Sequence, residues 1–321
     1  MKQDLWIVSA SVSRATLGFA QSAAELAGER SLEACAVILG ERPGEAMESE
    51  LGALGIKRIY SLGLDIRDVN CQREAVVTLA RLIQERGPVA VLFEYSDLTG
   101  AVAPAVAAKL GLGITADCTE LKWSDDYGLL QIRPTFGGRL LAVNRSVSRP
   151  YIATVRKGIY PLRPQTLSAG RAELIQVPRQ EESPLFRLLE RIEDNSDSER
   201  SLTDARLVLS GGMGLGGREG FRKLERLARL TGAAVGASRA AVAAGYASYA
   251  HQVGQTGLSV TPRLYVAFGI SGAVQHLSGI IGAEKIIAVN SDPKAPIHDF
   301  CDFSLLSDCG AVIDMLLDRL Q

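Results

Sequence analysis

From Leu5 to about Gly113, short runs of consecutive apolar residues alternate with longer stretches in which apolar residues recur every three or four positions. LWIVSA, ACAVILG, RIYSLG and VAVLFE read as buried strands. Leu17 to Ala27 and Cys71 to Arg86 carry the spacing of amphipathic helices, and the alanine-rich Ala101 to Leu110 reads as another. Such alternation predicts an α/β unit on a mainly parallel sheet. The pattern then changes. GLGITADCTELKW, LLQIRPTFGG, RLLAVNRS and YIATVRKG read as strands separated by Asp-Asp, Gly-Gly and Arg-Pro turns, which makes a β-rich extension of the first unit. Between about Pro178 and Arg200 the chain becomes charged and poor in apolar residues, as a linker does, apart from Leu185 to Ile192 (LFRLLERI), which reads as a short helix. The expected organisation is a first domain over 1–180, a linker over 181–200 and a second domain over 201–321.

In the second domain several glycine-rich polar loops follow or border short apolar runs. They are Ser210-Gly211-Gly212-Met213-Gly214, Gly236-Ala237-Ser238-Arg239, Gln252-Val253-Gly254-Gln255-Thr256-Gly257, and the turn after the strand Leu264 to Phe268, which runs Gly269-Ile270-Ser271-Gly272-Ala273-Val274-Gln275-His276. Loops of this kind gather at the carboxyl edge of an open parallel sheet, where ligands bind. Glycines beside the unpaired N–H groups of a helix start favour an anion such as a pyrophosphate, although the Gly269 turn alone serves equally well as a plain strand-to-helix connection. Gly212 to Gly217 formally satisfies GxGxxG, but the acidic residue about 20 positions on that would hold a ribose hydroxyl is missing: Ala234 to Arg239 contains no carboxylate. That disfavours a conventional NAD-dependent dehydrogenase. Gln252 to Gly257 offers two amides and a hydroxyl suited to hydrogen-bonding the polar rim of a ligand.

Composition narrows the classes. A chain of 321 residues with 47% hydrophobic and 22% charged residues and a formal net charge of -1 fits two ordinary globular domains, not a nucleic-acid binder relying on a basic surface. Cys35, Cys71, Cys118, Cys301 and Cys309 show no CxxC spacing, so neither a zinc site nor an iron–sulfur cluster is expected. MKQDLWIVSASVSR leads directly into a strand without a targeting signal, and no apolar run reaches the length of a membrane span, so a cytoplasmic protein without membrane insertion is expected.

Taken in order, SGGxG, VGASRAAV, QVGQTG, YVAFGISGAVQH and AVNSDPKAPI closely resemble the FAD-binding domain of the alpha subunit of electron-transfer flavoprotein, densely over residues 205 to 321. LGLGITADCTELK, Arg133 to Gly138 and Thr154 to Gly158 resemble its N-terminal domain more diffusely, and Arg133 and Arg156 themselves read as surface or turn arginines. The resemblance implies two α/β domains: an N-terminal nucleotide-binding-like domain with a β-rich extension that builds a subunit contact, and a C-terminal doubly wound parallel-sheet FAD-binding domain. It implies FAD held by Ser238, Arg239, Gln252, Val253, Gly254, Gln255, Thr256, Gly269, Ile270, Ser271, Gly272, Ala273, Val274, Gln275, His276, Asn290 and Asp308. Arg239 matches the arginine that sits against the isoalloxazine, where a guanidinium stabilises the reduced ring's negative charge. His276 matches a histidine near the flavin C2 carbonyl, where an imidazole N–H would favour negative charge. Asn290 and Asp308 match adenosine-side contacts. The implied partners are a beta subunit, an electron-donating dehydrogenase, and an acceptor flavoprotein or quinone-linked oxidoreductase. Such a chain carries electrons and transforms no substrate. A self-sufficient flavin or nicotinamide oxidoreductase, or a cofactor-free nucleotide-binding or assembly subunit, are the alternatives. One departure stands out: Met213 occupies the place of an arginine that lies at the adenosine end of FAD in relatives, with Arg218 five residues on.

Overall fold

The computed structural model describes residues 3–66, 68–135, 140–164, 170–179, 185–190, 202 and 205–320. The chain divides into two compact units, Met1–Ile192 and Glu193–Gln321. The linker expected over 181–200 lies outside the described residues except for 185–190, which form no helix. Asn70 explains the departure locally: its side-chain oxygen accepts from the backbone N–H groups of both Leu185 and Phe186 at 3.1 Å.

In the first unit, β1 (Asp4–Ser9), β2 (Glu33–Ile38), β3 (Arg58–Ser61) and β4 (Ala90–Glu94) alternate with α1 (Arg14–Gly28), α2 (Glu45–Ala53), α3 (Cys71–Arg86) and α4 (Asp97–Leu110). Adjacent residues of β1 face opposite sides: Leu5 and Ile7 pack with α1 and α2, Trp6 and Val8 with α3 and α4. Burial on both faces explains why these strands read as unbroken apolar runs. GLGITADCTELKW is not one strand. It splits into β5 (Ile114–Cys118) and β6 (Glu120–Ser124), followed by β7 (Gly128–Thr135), β8 (Leu140–Arg145), β9 (Tyr151–Val155) and β10 (Glu173–Gln176). Only β6, β7 and β8 form an antiparallel extension. β5, β9 and β10 complete a seven-stranded parallel sheet in the order β10-β3-β2-β1-β4-β9-β5.

Neither of the two arginines read as surface or turn residues is fully exposed, and only Arg156 stands at a turn, its carbonyl accepting from Ile159 N–H at 3.4 Å. Arg133 is half-buried within β7, so the expected turn does not begin there; its Phe136 to Gly138 part lies outside the described residues. The Arg156 side chain is 12% exposed, and its Nε and Nη2 donate to the two oxygens of Asp117 at 2.9 and 2.6 Å. The fork pairs with Asp117 at a φ of 60°, a left-handed position near the end of β5, where the register with β9 shifts between Thr115 and Cys118.

The second unit contains β11 (Leu207–Gly211), α5 (Arg218–Thr231), β12 (Ala234–Ala237), α6 (Arg239–Ala243), β13 (Leu264–Phe268), α7 (Val274–Leu277), β14 (Ile286–Asn290), β15 (Phe303–Leu306) and α8 (Cys309–Leu320). All five strands are parallel, in the order β12-β11-β13-β14-β15. The order reverses between β11 and β13, so the crevice at their carboxyl ends is the topological switch point. Phe221, Leu224, Leu227 and Ala228 of α5 and Cys309, Ile313 and Leu317 of α8 turn the apolar sides of their helices onto one sheet face. No described helix is long and apolar enough to cross a membrane.

Candidate functional site

At the switch point the glycines of the formal GxGxxG match pack loop against loop. Gly212 N–H donates to Phe268 O at 2.8 Å and Gly214 N–H to Gly269 O at 3.0 Å. A Cβ on Gly214 would stand 2.6 Å from the Gly269 Cα, and one on Gly212 would overlap Gly269 O outright. These glycines therefore make close backbone packing possible and do not open a dinucleotide approach. Gly216 and Gly217, by contrast, have φ of 73° and 147° and open space on the side a Cβ would take.

The turn after β13 is built differently. Gly269 N–H bonds to Val289 O, Ile297 N–H donates to Ser271 O at 3.0 Å, and Asn290 Nδ2 donates to Ile270 O at 2.8 Å. At Ile270 and Ser271 the backbone is thus gripped through its carbonyls. The N–H groups of Ser271, Gly272, Ala273, Val274 and Gln275 find no acceptor among the described residues, and Ser271, Ala273, Val274 and Gln275 are exposed. Five successive free donors form a concentrated positive patch that an anion would satisfy.

Several expected contact residues are committed within the protein. Ser238 Oγ accepts from Ala241 N–H and caps α6. Gln252 is buried, and its Nε2 donates to Thr256 O and Oγ1 at 3.0 and 3.1 Å, which closes the 252–257 loop on itself. Gly254 has a φ of 139° and its Cβ position faces Gln275 O, while Gln255 N–H donates to Gln275 O at 2.7 Å. This loop and the Ser271–Gln275 turn are therefore held edge to edge. Asn290 uses its oxygen to accept from Asp292 N–H. Asp308 caps α8 by accepting from Ala311 N–H at 2.8 Å. Arg239, Gln255 and Thr256 are exposed, and Arg239 has no ion-pair partner among the described residues.

His276 departs from expectation. The side chain is buried, with Nδ1 3.0 Å from Val253 O and Nε2 2.9 Å from the Tyr265 hydroxyl. A carbonyl only accepts, so Nδ1 carries the proton and Nε2 accepts from Tyr265 O–H, whose phenol burial pushes up and keeps protonated. Both ring nitrogens are spent, and the N–H expected to face a ligand instead pins the Val253 loop to β13. Burial lowers the His276 pKa to about 4.

The sign of the resulting pH dependence follows. The folded pKa lies below the ordinary 6.5, so the stabilisation is full above pH 6.5 and is lost as pH falls towards 4, where the unfolded chain takes up the proton first. We expect the stability advantage of wild type over His276→Gln to shrink by on the order of 3 kcal/mol between pH 7 and pH 4. Denaturant melts of the two proteins at each pH check this; parallel pH profiles would show that His276 is not held neutral by burial.

Tyr265, which orients His276, and Tyr249, whose hydroxyl donates to Thr256 O at 2.8 Å, are supporting residues that sequence reasoning missed. Tyr265 sits inside an apolar strand and Tyr249 in an unpatterned loop, so neither carried a local signal.

Comparison with known proteins bears directly on this edge. The electron transfer flavoprotein FAD-binding domain matches residues 201–281, and the electron transfer flavoprotein domain matches residues 8–182. Electron transfer flavoprotein subunit alpha of Thermoanaerobacterium thermosaccharolyticum is 32% identical, with 99% of this chain and 98% of that protein covered. Protein FixB of Bradyrhizobium diazoefficiens is 34% identical over 91% and 80% of the two chains, and electron transfer flavoprotein subunit alpha of Mycobacterium leprae 34% over 90% and 89%.

FAD is the cofactor of the matched domain, and the residues present fit it: a run of N–H donors and a guanidinium without partners among the described residues, and exposed amide and hydroxyl groups, at one sheet edge. With both domains matched in order and relatives aligned along nearly the whole length, the chain belongs to the electron transfer flavoprotein alpha-subunit family.

Proposed function

We propose that this chain is the FAD-carrying subunit of a heterodimeric electron carrier. It would take electrons from dehydrogenases and pass them to an acceptor flavoprotein or quinone-linked oxidoreductase in the cytoplasm. The observation that carries the reading is the run of N–H groups from Ser271 to Gln275 that find no acceptor among the described residues, at the carboxyl edge of the second unit, where Arg239 also follows a strand. When bound, FAD supplies the redox-active ring, and the chain holds and tunes it.

In this reading Ser271 to Gln275 hold the pyrophosphate through backbone N–H groups, with Gly269 and Ile270 shaping the turn. Gln255 and Thr256 present donors to the ring's polar rim, and Arg239 supplies positive charge beside it. Gln252, Val253, Gly254 and His276 keep the two loops in register. Ser238, Asn290 and Asp308 fix the strand ends while leaving lone pairs for further donors. No proton-transfer role falls to His276, because its one N–H is committed to Val253 O and its other nitrogen to the Tyr265 hydroxyl, both away from any ligand.

The first domain, proposed over residues 1–180, contacts a beta subunit. Support comes from Leu140, Leu141 and Val143, all exposed on the edge strand β8. Expressed with its beta partner, the chain should migrate in native mass measurements as a complex with a similar-sized subunit and show flavin absorbance. Expressed alone it should lose FAD. A monomer that keeps stoichiometric FAD and full electron-transfer activity would refute the assembly. Turnover of NADH by the chain alone would favour a self-sufficient oxidoreductase instead.

A further inference from the structure

Arg218 is the first residue of α5, directly after the open Gly216-Gly217 pair. Its Nε donates to Gly245 O at 2.7 Å, so the side chain crosses from the loop after β11 to the end of α6, the helix that begins with Arg239. No carboxylate pairs with Arg218 among the described residues, and the residue is exposed. A cation at this end of a 14-residue helix also works against the helix dipole. With Nε anchored, the two Nη nitrogens remain as a planar fork, the arrangement that pairs with two phosphate oxygens.

The charges around it sharpen the point. Strand β11 borders the switch point, where a ligand lies in this sheet order. Of the other basic groups in the loops at this edge, His276 is neutral and buried, Arg239 and His251 follow β12, and Lys294 and His298 follow β14; Glu219, beside Arg218, pairs with Arg222. Met213, in the same loop as Arg218, is exposed and carries no charge.

Resting on the reading that FAD binds at this edge, we propose that Arg218 holds the doubly charged pyrophosphate of the cofactor, its Nε bond to Gly245 aiming the free fork. The role is specific to the phosphate-bearing part of the ligand and leaves the ring contacts to other residues.

The test uses the whole chain purified with its partner and stripped of flavin. It compares wild type, Arg218→Gln and Arg218→Lys for binding of FAD and of riboflavin, which has no phosphate, across salt concentration. Lysine keeps the charge but loses the Nε bond. We expect Arg218→Gln to weaken FAD about tenfold at low salt and to flatten the salt dependence. Arg218→Lys, which keeps the charge without the aimed fork, should fall between the two, about threefold below wild type, and keep the wild-type salt dependence, and riboflavin binding should change in neither. Unchanged FAD affinity in Arg218→Gln, or equal losses in both variants with wild-type salt dependence, overturns the proposal; the second result would leave Arg218 as a loop strap only. In either case FAD binding by wild type keeps the cofactor reading intact, whereas a wild type that binds no FAD overturns both.

Discussion

Gly272→Ala should destabilise the protein by about 2–5 kcal/mol, the sum of two separable effects. Gly272 has a φ of 84°, and an L side chain in left-handed backbone costs roughly 1–2 kcal/mol. The added Cβ would also have Ile297 Cα at 2.6 Å and would overlap the Ile297 N–H that donates to Ser271 O. Because Ile297 is fully buried, neither side can yield without moving the core, and forced overpacking of this kind costs about 1–3 kcal/mol. Gly216→Ala is the matched control: its φ is 73°, but nothing stands within 4 Å of the Cβ position, so only the backbone term applies. Thermal melts should show Gly272→Ala falling by roughly 10 °C and Gly216→Ala by a few degrees. FAD affinity should fall with the first, since the clash displaces the N–H run from Ser271 to Gln275. Equal losses in the two variants would mean that the Ser271–Ile297 clamp relaxes freely and does not set the turn.

The strands of both units were legible because parallel strands covered on both faces leave unbroken apolar runs, as Leu5 to Val8 and Leu264 to Phe268 do. Pairing was not. Nothing within Tyr151 to Val155 says that it lies between β4 and β5 in the large sheet and outside the antiparallel extension, because the register is fixed by partners some 40 to 60 residues away. Helix α2 escaped notice because Leu51 is its one large buried apolar residue, and β10 because Glu173 to Gln176 has only two apolar positions, both half-buried. At the site, loop positions could be read but side-chain partners could not. Gln252, Asn290 and Asp308 each bond a backbone group of the protein, which the sequence does not announce, since an amide or carboxylate that clips a loop is the same residue type as one that meets a cofactor. His276 is the clearest case: its environment comes from Val253 and Tyr265, 23 and 11 positions away.

Arg239→Ala should lower the flavin midpoint potential by roughly 40–100 mV. A unit charge about 4 Å from another is worth about 1 kcal/mol in water and about 4 kcal/mol at an effective dielectric near 20, and 1.4 kcal/mol corresponds to about 59 mV for one electron. Arg239 is exposed and has no ion-pair partner among the described residues, which places the expected shift in the lower part of that span and makes it sensitive to salt. The direction follows from charge: the reduced ring carries more negative charge than the oxidised one, so removing a nearby cation destabilises the reduced form and the potential drops. Arg239→Lys separates charge from shape, and it should recover most of the potential while losing whatever the planar fork contributes to binding. Spectroelectrochemical titration of the three proteins at low and high salt measures all of this. A potential that stays at the wild-type value in an Arg239→Ala protein still holding FAD would place this guanidinium away from the ring, whatever its position at the start of α6.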